Sequence, residues 1–134
     1  MDKFESKVVT LNRNGEDIYN FISKFSNFTP FIPADKVEGW SATEDTCKLK
    51  VQGIETGLKI IERTPFHTIK ITGDGAPLEF FLWVQLKQVA ENDTKMKLTI
   101  NAELNFMMKA LLKNKLSEGL DAMADQIAMV VNRM

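Results

Sequence analysis

The stretch KMKLTINAELNFMMKALLKNKLSEGLDAMADQIAMVVNRM, residues 95–134, decides the fold. In its first ten residues Met96, Leu98, Ile100, Ala102 and Leu104 are apolar, while Lys95, Lys97, Thr99, Asn101 and Glu103 fill the gaps. That alternation describes a strand with one face against a core and the other in water. The period then changes. Leu112, Leu116, Leu120, Met123, Ile127 and Val131 recur at steps of three or four, which keeps them in one stripe of an α-helix. A helix over roughly the final 27 residues is about 40 Å long. Such a stripe needs an equally long apolar partner, and the strands before it supply one.

Working back toward the start, short turn signals separate further strands. Phe4 to Leu11 is rich in strand formers and stops at Asn12 to Gly15. Asn14 can cap a helix that places Ile18, Phe21, Ile22 and Phe25 on one side, with Glu16 and Asp17 in its first turn. Phe28, followed by Phe31 and Ile32 between Pro30 and Pro33, predicts a second short helical turn. A meander follows, with strands near Val37–Thr43, Cys47–Gln52, Thr56–Arg63, His67–Thr72 and Leu78–Val89. The last strand, Met96–Leu104, completes it. The turns lie at Glu44–Thr46, Gly53, Pro65, Gly73–Pro77 and Asn92–Asp93. Links this short join antiparallel hairpins and not parallel crossovers.

The order strand, two short helices, six strands and long helix resembles the START-like superfamily, also called SRPBCC. Its members include pollen-allergen-type ligand carriers, lipid-transfer domains and polyketide cyclases. The opening VVTLNRNGEDIYNFISKFSNFTPFIP, residues 8–33, is most similar to the small bacterial cyclase-or-carrier branch. The resemblance covers nearly the whole chain. It implies an α+β helix-grip fold, a seven-stranded curved antiparallel sheet wrapped around the C-terminal helix, in one domain spanning residues 1–134. It also implies a cavity between sheet and helix, open near the short helices and the hairpin loops. These signals are topological, and a fold alone transmits no activity.

Composition narrows the classes of function. The 134 residues carry a net charge of −1, with 44% hydrophobic and 26% charged residues, so disorder is not expected. A balanced charge offers no field for nucleic acid. Lone Cys47 and lone His67 make neither a disulfide nor an ordinary zinc site, and no metal or cofactor is expected. The first twenty residues hold no apolar run, so the expected location is the cytoplasm.

Alternation assigns candidate ligand-binding residues to the concave face. These are Trp40, His67, Ile69, Phe80, Leu82, Met96 and Leu98 on strands, with Leu116, Gly119, Leu120, Met123 and Ile127 on the helix. Trp40 has an indole donor for a polar group of a ligand. Gly119 invites close packing against a strand or leaves room for a ligand. His67 shares the parity of Ile69 and Ile71, and Glu62 that of Leu58 and Ile60, so both are candidates for moving a proton in the cavity. Each is also compatible with a solvated turn or strand end. Lys109 and Lys113 project toward the apolar side near the helix start, where they suit either an anionic headgroup or plain solvation. Phe81 and Trp83 point outward by parity, which suggests a homodimer or protein-partner surface. No nucleophile motif or phosphate loop is present. The primary expectation is a binder or carrier of a small hydrophobic molecule. The alternatives are a polyketide cyclase-like enzyme and a protein-interaction module.

Overall fold

The computed structural model describes residues 1–51, 53–76 and 78–134. Gln52 and Pro77, assigned above to a strand end and a turn, lie outside the described residues, as do the side chains of Val51 and Lys113.

The chain runs β1 (Asp2–Glu5), β2 (Val9–Leu11), α1 (Gly15–Ile22), a 3₁₀ helix (Phe25–Phe31), β3 (Glu38–Ala42), β4 (Thr46–Val51), β5 (Ile54–Thr64), β6 (Thr68–Gly73), β7 (Phe80–Ala90), β8 (Asp93–Ala102) and α2 (Phe106–Asn132). One antiparallel sheet has the order β1-β8-β7-β6-β5-β4-β3, and β2 also pairs with β8. Both α-helices are capped by asparagine, α1 at Asn14 as its sequence predicts and α2 at Asn105. Asn14 Oδ1 accepts from the Asp17 amide at 2.8 Å, and Asn105 Oδ1 accepts from the Met108 amide at 2.8 Å.

The sheet has eight strands where alternation predicts seven, because the opening strand is broken. Glu5 lies opposite Thr99 and Val9 opposite Met96, so one extra residue is inserted between them. Ser6 bridges the break, with its amide donating to the Leu98 carbonyl at 2.8 Å and its Oγ accepting from the Leu98 amide at 2.9 Å. Val8 is thrown outward and is 59% exposed. A hydroxyl has taken over the acceptor role of a backbone carbonyl, which a pattern of apolar residues does not reveal.

The core sits between the sheet and the C-terminal half of α2, closed at one end by α1 and the 3₁₀ helix. Leu11, Ile18, Ile69, Met96, Leu98 and Val131 are its largest fully buried members. Helix α2 packs chiefly on β2, β8 and β1. Polar contacts tie it to the opening segment. The Lys7 amide donates to Asp121 Oδ1 at 2.6 Å, Lys7 Nζ meets Asp125 at 2.8 Å, and Asn132 bonds Asn12 and Thr10. Arg13 Nε donates to the Val131 carbonyl at 3.3 Å, placing a cation at the negative end of the helix dipole.

The buried face of α2 is rotated from the predicted stripe. Leu120, Ala124 and Val131 are buried, whereas Met123 is 44% exposed. Met123 and Ala124 lie on opposite sides of the Leu120 direction, about 60° and 40° away. The small methyl lets the helix approach the sheet, so alanine takes the core position and the larger methionine does not.

Gly119 is exposed, and an added Cβ would meet no atom within 4 Å. It therefore provides no close strand contact. Gly119→Ala is expected to stabilise the fold by about 0.5–1 kcal/mol through helix propensity alone. Chemical denaturation measures it, and a loss of stability would show that something does approach this backbone.

Candidate functional site

Residues on the concave face grade from buried to half-exposed along the strands. At the α1 end, Ile69, Val84, Leu98 and Met96 are buried. Farther from α1, Leu49, Leu58, Phe80 and Ile100 point to the same side but are only half-buried, as is Trp40 against the 3₁₀ helix, while Leu82 and Ala102 among them are buried. The register shows that this is one surface. Phe80 lies opposite Ala102, Leu82 opposite Ile100, and Ile100 opposite Phe4. Leu112 and Leu116 on α2 are also half-buried. Farther toward the helix start, Phe106 is 89% exposed although it precedes Leu120 by about four turns and so shares its side. Burial is thus nearly complete under the second half of α2 and partial opposite its first half, where a half-exposed apolar strip, the trough, remains.

The candidate residues divide accordingly. Ile69, Leu82, Met96, Leu98 and Leu120 are buried in the core, while Phe80, Trp40, Leu116 and Ile127 are half-buried. Met123 and Gly119 are exposed. The Trp40 indole donates to Thr29 Oγ1 at 2.9 Å, which pins β3 to the 3₁₀ helix.

Neither proton-transfer candidate faces the trough. His67 is exposed in the β5–β6 turn, its amide donating to the Thr64 carbonyl at 3.0 Å. Its carbonyl still accepts from the Leu86 amide at 2.7 Å, but the residue is at the turn and its side chain is exposed to solvent. Glu62 is displaced by a bulge. Ile60 lies opposite Ile71 but Glu62 opposite Lys70, so one extra residue enters β5 and Glu62 turns outward, 3.5 Å from Lys70 Nζ.

The same bulge brings in Arg63, which the alternation pattern overlooked. Arg63 lies opposite buried Ile69. Its guanidinium donates to the Ser23 carbonyl at 2.8 Å and to Asp45 Oδ1 at 2.6 Å. It thereby clamps the end of α1 to the β3–β4 turn, and no single-residue signal in the sequence announces that extra residue.

Two further groups are accounted for locally. Burial pushes the Cys47 thiol up to about 11, which keeps it protonated and unreactive at neutral pH. Lys109 Nζ lies 3.0 Å from Asp2 of β1, so it is an ion-pair partner and not a freely solvated cation.

On the outer face, Phe81 and Trp83 do point outward, with ring centroids 6.2 Å apart. Lys70 Nζ lies 4.8 Å from the Phe81 centroid and 5.3 Å from that of Trp83. A cation from the neighbouring strand thus covers part of both rings. Also on this face is an open groove of about 520 Å³, lined by Lys48, Lys50, Glu55, Gly57 and Asp74 among others.

No protein-family model and no curated protein matches the chain. In structure it is similar to a START superfamily protein from Mycobacterium smegmatis, with a TM-score of 0.78 and 13% identity over 98% of this chain and 97% of the other. It is also similar to a point mutant of norcoclaurine synthase from Thalictrum flavum in complex with a transition-state analogue. There the TM-score is 0.78 at 13% identity, over 97% and 93% of the two chains. The di-domain ARO/CYC protein BexL, from the BE-7585A biosynthetic pathway, gives 0.76 at 10% identity, over 96% of this chain and 46% of that one. The chain therefore has the START-like, or SRPBCC, fold. Identities this low establish the fold alone. Among the described residues, no helix is long and apolar enough to cross a membrane.

Proposed function

We propose that the protein binds a small apolar molecule in the trough between the concave sheet and the first half of α2. The observation that carries this reading is the break in burial along one continuous apolar surface. Trp40, Leu58, Phe80 and Ile100 face the same side as fully buried Leu98 and Met96, yet stay half-exposed. Each Å² of apolar surface withdrawn from water is worth about 25 cal/mol, so a ligand covering this surface gains affinity from burial alone. Binding is favoured over cyclase-type proton transfer because His67 and Glu62 both lie outside the trough.

The test begins with native mass spectrometry of freshly purified protein, to look for a retained apolar ligand. Titration with an uncharged fluorescent probe such as N-phenyl-1-naphthylamine follows. Phe80→Asp is expected to weaken probe binding by about tenfold or more, since a carboxylate buried under an apolar ligand costs more than 1.4 kcal/mol. Lys48→Asp, on the outer face, should leave it unchanged. In a Trp83→Phe background Trp40 is the remaining tryptophan, and its emission should shift on binding. Probe binding insensitive to Phe80→Asp, with circular dichroism unchanged, would place the probe elsewhere and defeat the proposal.

A further inference from the structure

The apolar row that includes Phe80 and Ala102 ends in a charge. Asp2 lies directly opposite Ala102, on the concave side shared by Phe4 and Phe80. Its carboxylate meets Lys109 Nζ at 3.0 Å, with side chains 27% and 53% exposed respectively. Lys109 precedes Leu120 by about three helical turns and so projects from the trough side of α2. An ion pair therefore spans from sheet to helix at the mouth of the trough.

An inward-pointing carboxylate on an otherwise apolar row breaks the alternation rule locally, and such breaches gather at functional sites. We infer that Lys109 anchors the anionic head of an amphipathic ligand, and that Asp2 holds that place when the trough is empty. The ligand class is a molecule with an apolar body and one carboxylate-like end. The inference rests on the binding function proposed above. In geometric terms, the Asp2 carboxylate occupies a position 3.0 Å from the ammonium, where a ligand carboxylate would make the same contact. The ligand body would then lie along Phe80 and Leu58. The exchange swaps one partly exposed ion pair for another, so the head group adds selectivity more than affinity.

A purely structural reading exists for Asp2. β1 is an edge strand, and inward charges at an edge discourage pairing with other chains. The two readings differ in what a ligand feels.

The experiment compares lauric acid with dodecanol as competitors of N-phenyl-1-naphthylamine, in the wild type, Asp2→Asn and Lys109→Met. Removing the rival carboxylate should strengthen laurate binding by about two- to fivefold, and removing the ammonium should weaken it by a similar factor. Dodecanol should be unaffected by either change. The difference should shrink at high salt, since both groups are partly exposed. Circular dichroism checks that each variant is folded. If laurate and dodecanol shift together, or neither shifts, Lys109 is no anchor and the edge-strand reading of Asp2 stands. If neither compound displaces the probe from the wild type, this inference falls, while the binding proposal stands or falls on the sensitivity of the probe to Phe80→Asp.

Discussion

Gly57→Ala is expected to destabilise the protein by about 3 kcal/mol or more, beyond the usual range for a surface methyl. A Cβ at Gly57 would lie 1.9 Å from the Asp74 carbonyl oxygen and 3.0 Å from its carbonyl carbon. Both are backbone atoms, so no side-chain rotation relieves the clash. The Asp74 amide also donates to the Gly57 carbonyl at 2.8 Å, so moving the strands apart breaks the bond that ends the β5–β6 pairing. Leu58, the next residue, lies opposite Gly73 and faces the trough. Probe binding should therefore fall along with stability. Gly119→Ala adds the same methyl where no atom lies within 4 Å, and the expected sign is opposite. Urea denaturation of the two variants side by side isolates the packing contribution from the propensity of the residue. A loss below about 1 kcal/mol for Gly57→Ala would mean that β5 and the β6–β7 turn separate easily, and the contact would not hold the trough wall.

The parts of the fold that follow a regular period were legible in the residues. Strict alternation from Lys95 to Ala102 and the three-and-four spacing after Leu112 correspond to β8 and α2. Asn14 caps α1 as its position predicts. What escaped the pattern depends on single inserted residues. The extra residue between Glu5 and Val9 splits the opening strand, and the one at Ile61 turns Glu62 outward and Arg63 inward. Alternation carries a sign that one insertion reverses for every later residue on the strand. His67 sits in the turn before β6, where its side chain is exposed whatever its parity. The trough is harder still to read. Phe80 and Leu98 look alike as inward apolar residues, and their burial differs only because α2 and α1 close over one end of the sheet. The Asp2–Lys109 pair joins residues far apart in sequence, and nothing local in either segment announces it.

The rotation of α2 sets the second large effect. Leu120→Ala is expected to cost about 2–5 kcal/mol, because the side chain is 5% exposed and packs within the main core cluster. Met123→Ala should cost about 0.5 kcal/mol or less, since a side chain 44% exposed loses little burial and alanine is the better helix former. The sequence stripe treats these residues as equivalent, so the ratio of the two losses reports which face meets the sheet. Ala124 sharpens the test. It is fully buried, and Ala124→Leu would add three carbons where helix and sheet are in contact, with an expected loss of about 1–3 kcal/mol from overpacking. Were Met123 the true core residue, Met123→Ala would carry the large loss and Ala124→Leu would be tolerated. Denaturant midpoints of the three variants, with unchanged denaturant slopes, distinguish these outcomes. The result also bears on the ligand site, because rotating α2 to bury Met123 would carry Lys109 away from Asp2 and remove the charged mouth of the trough.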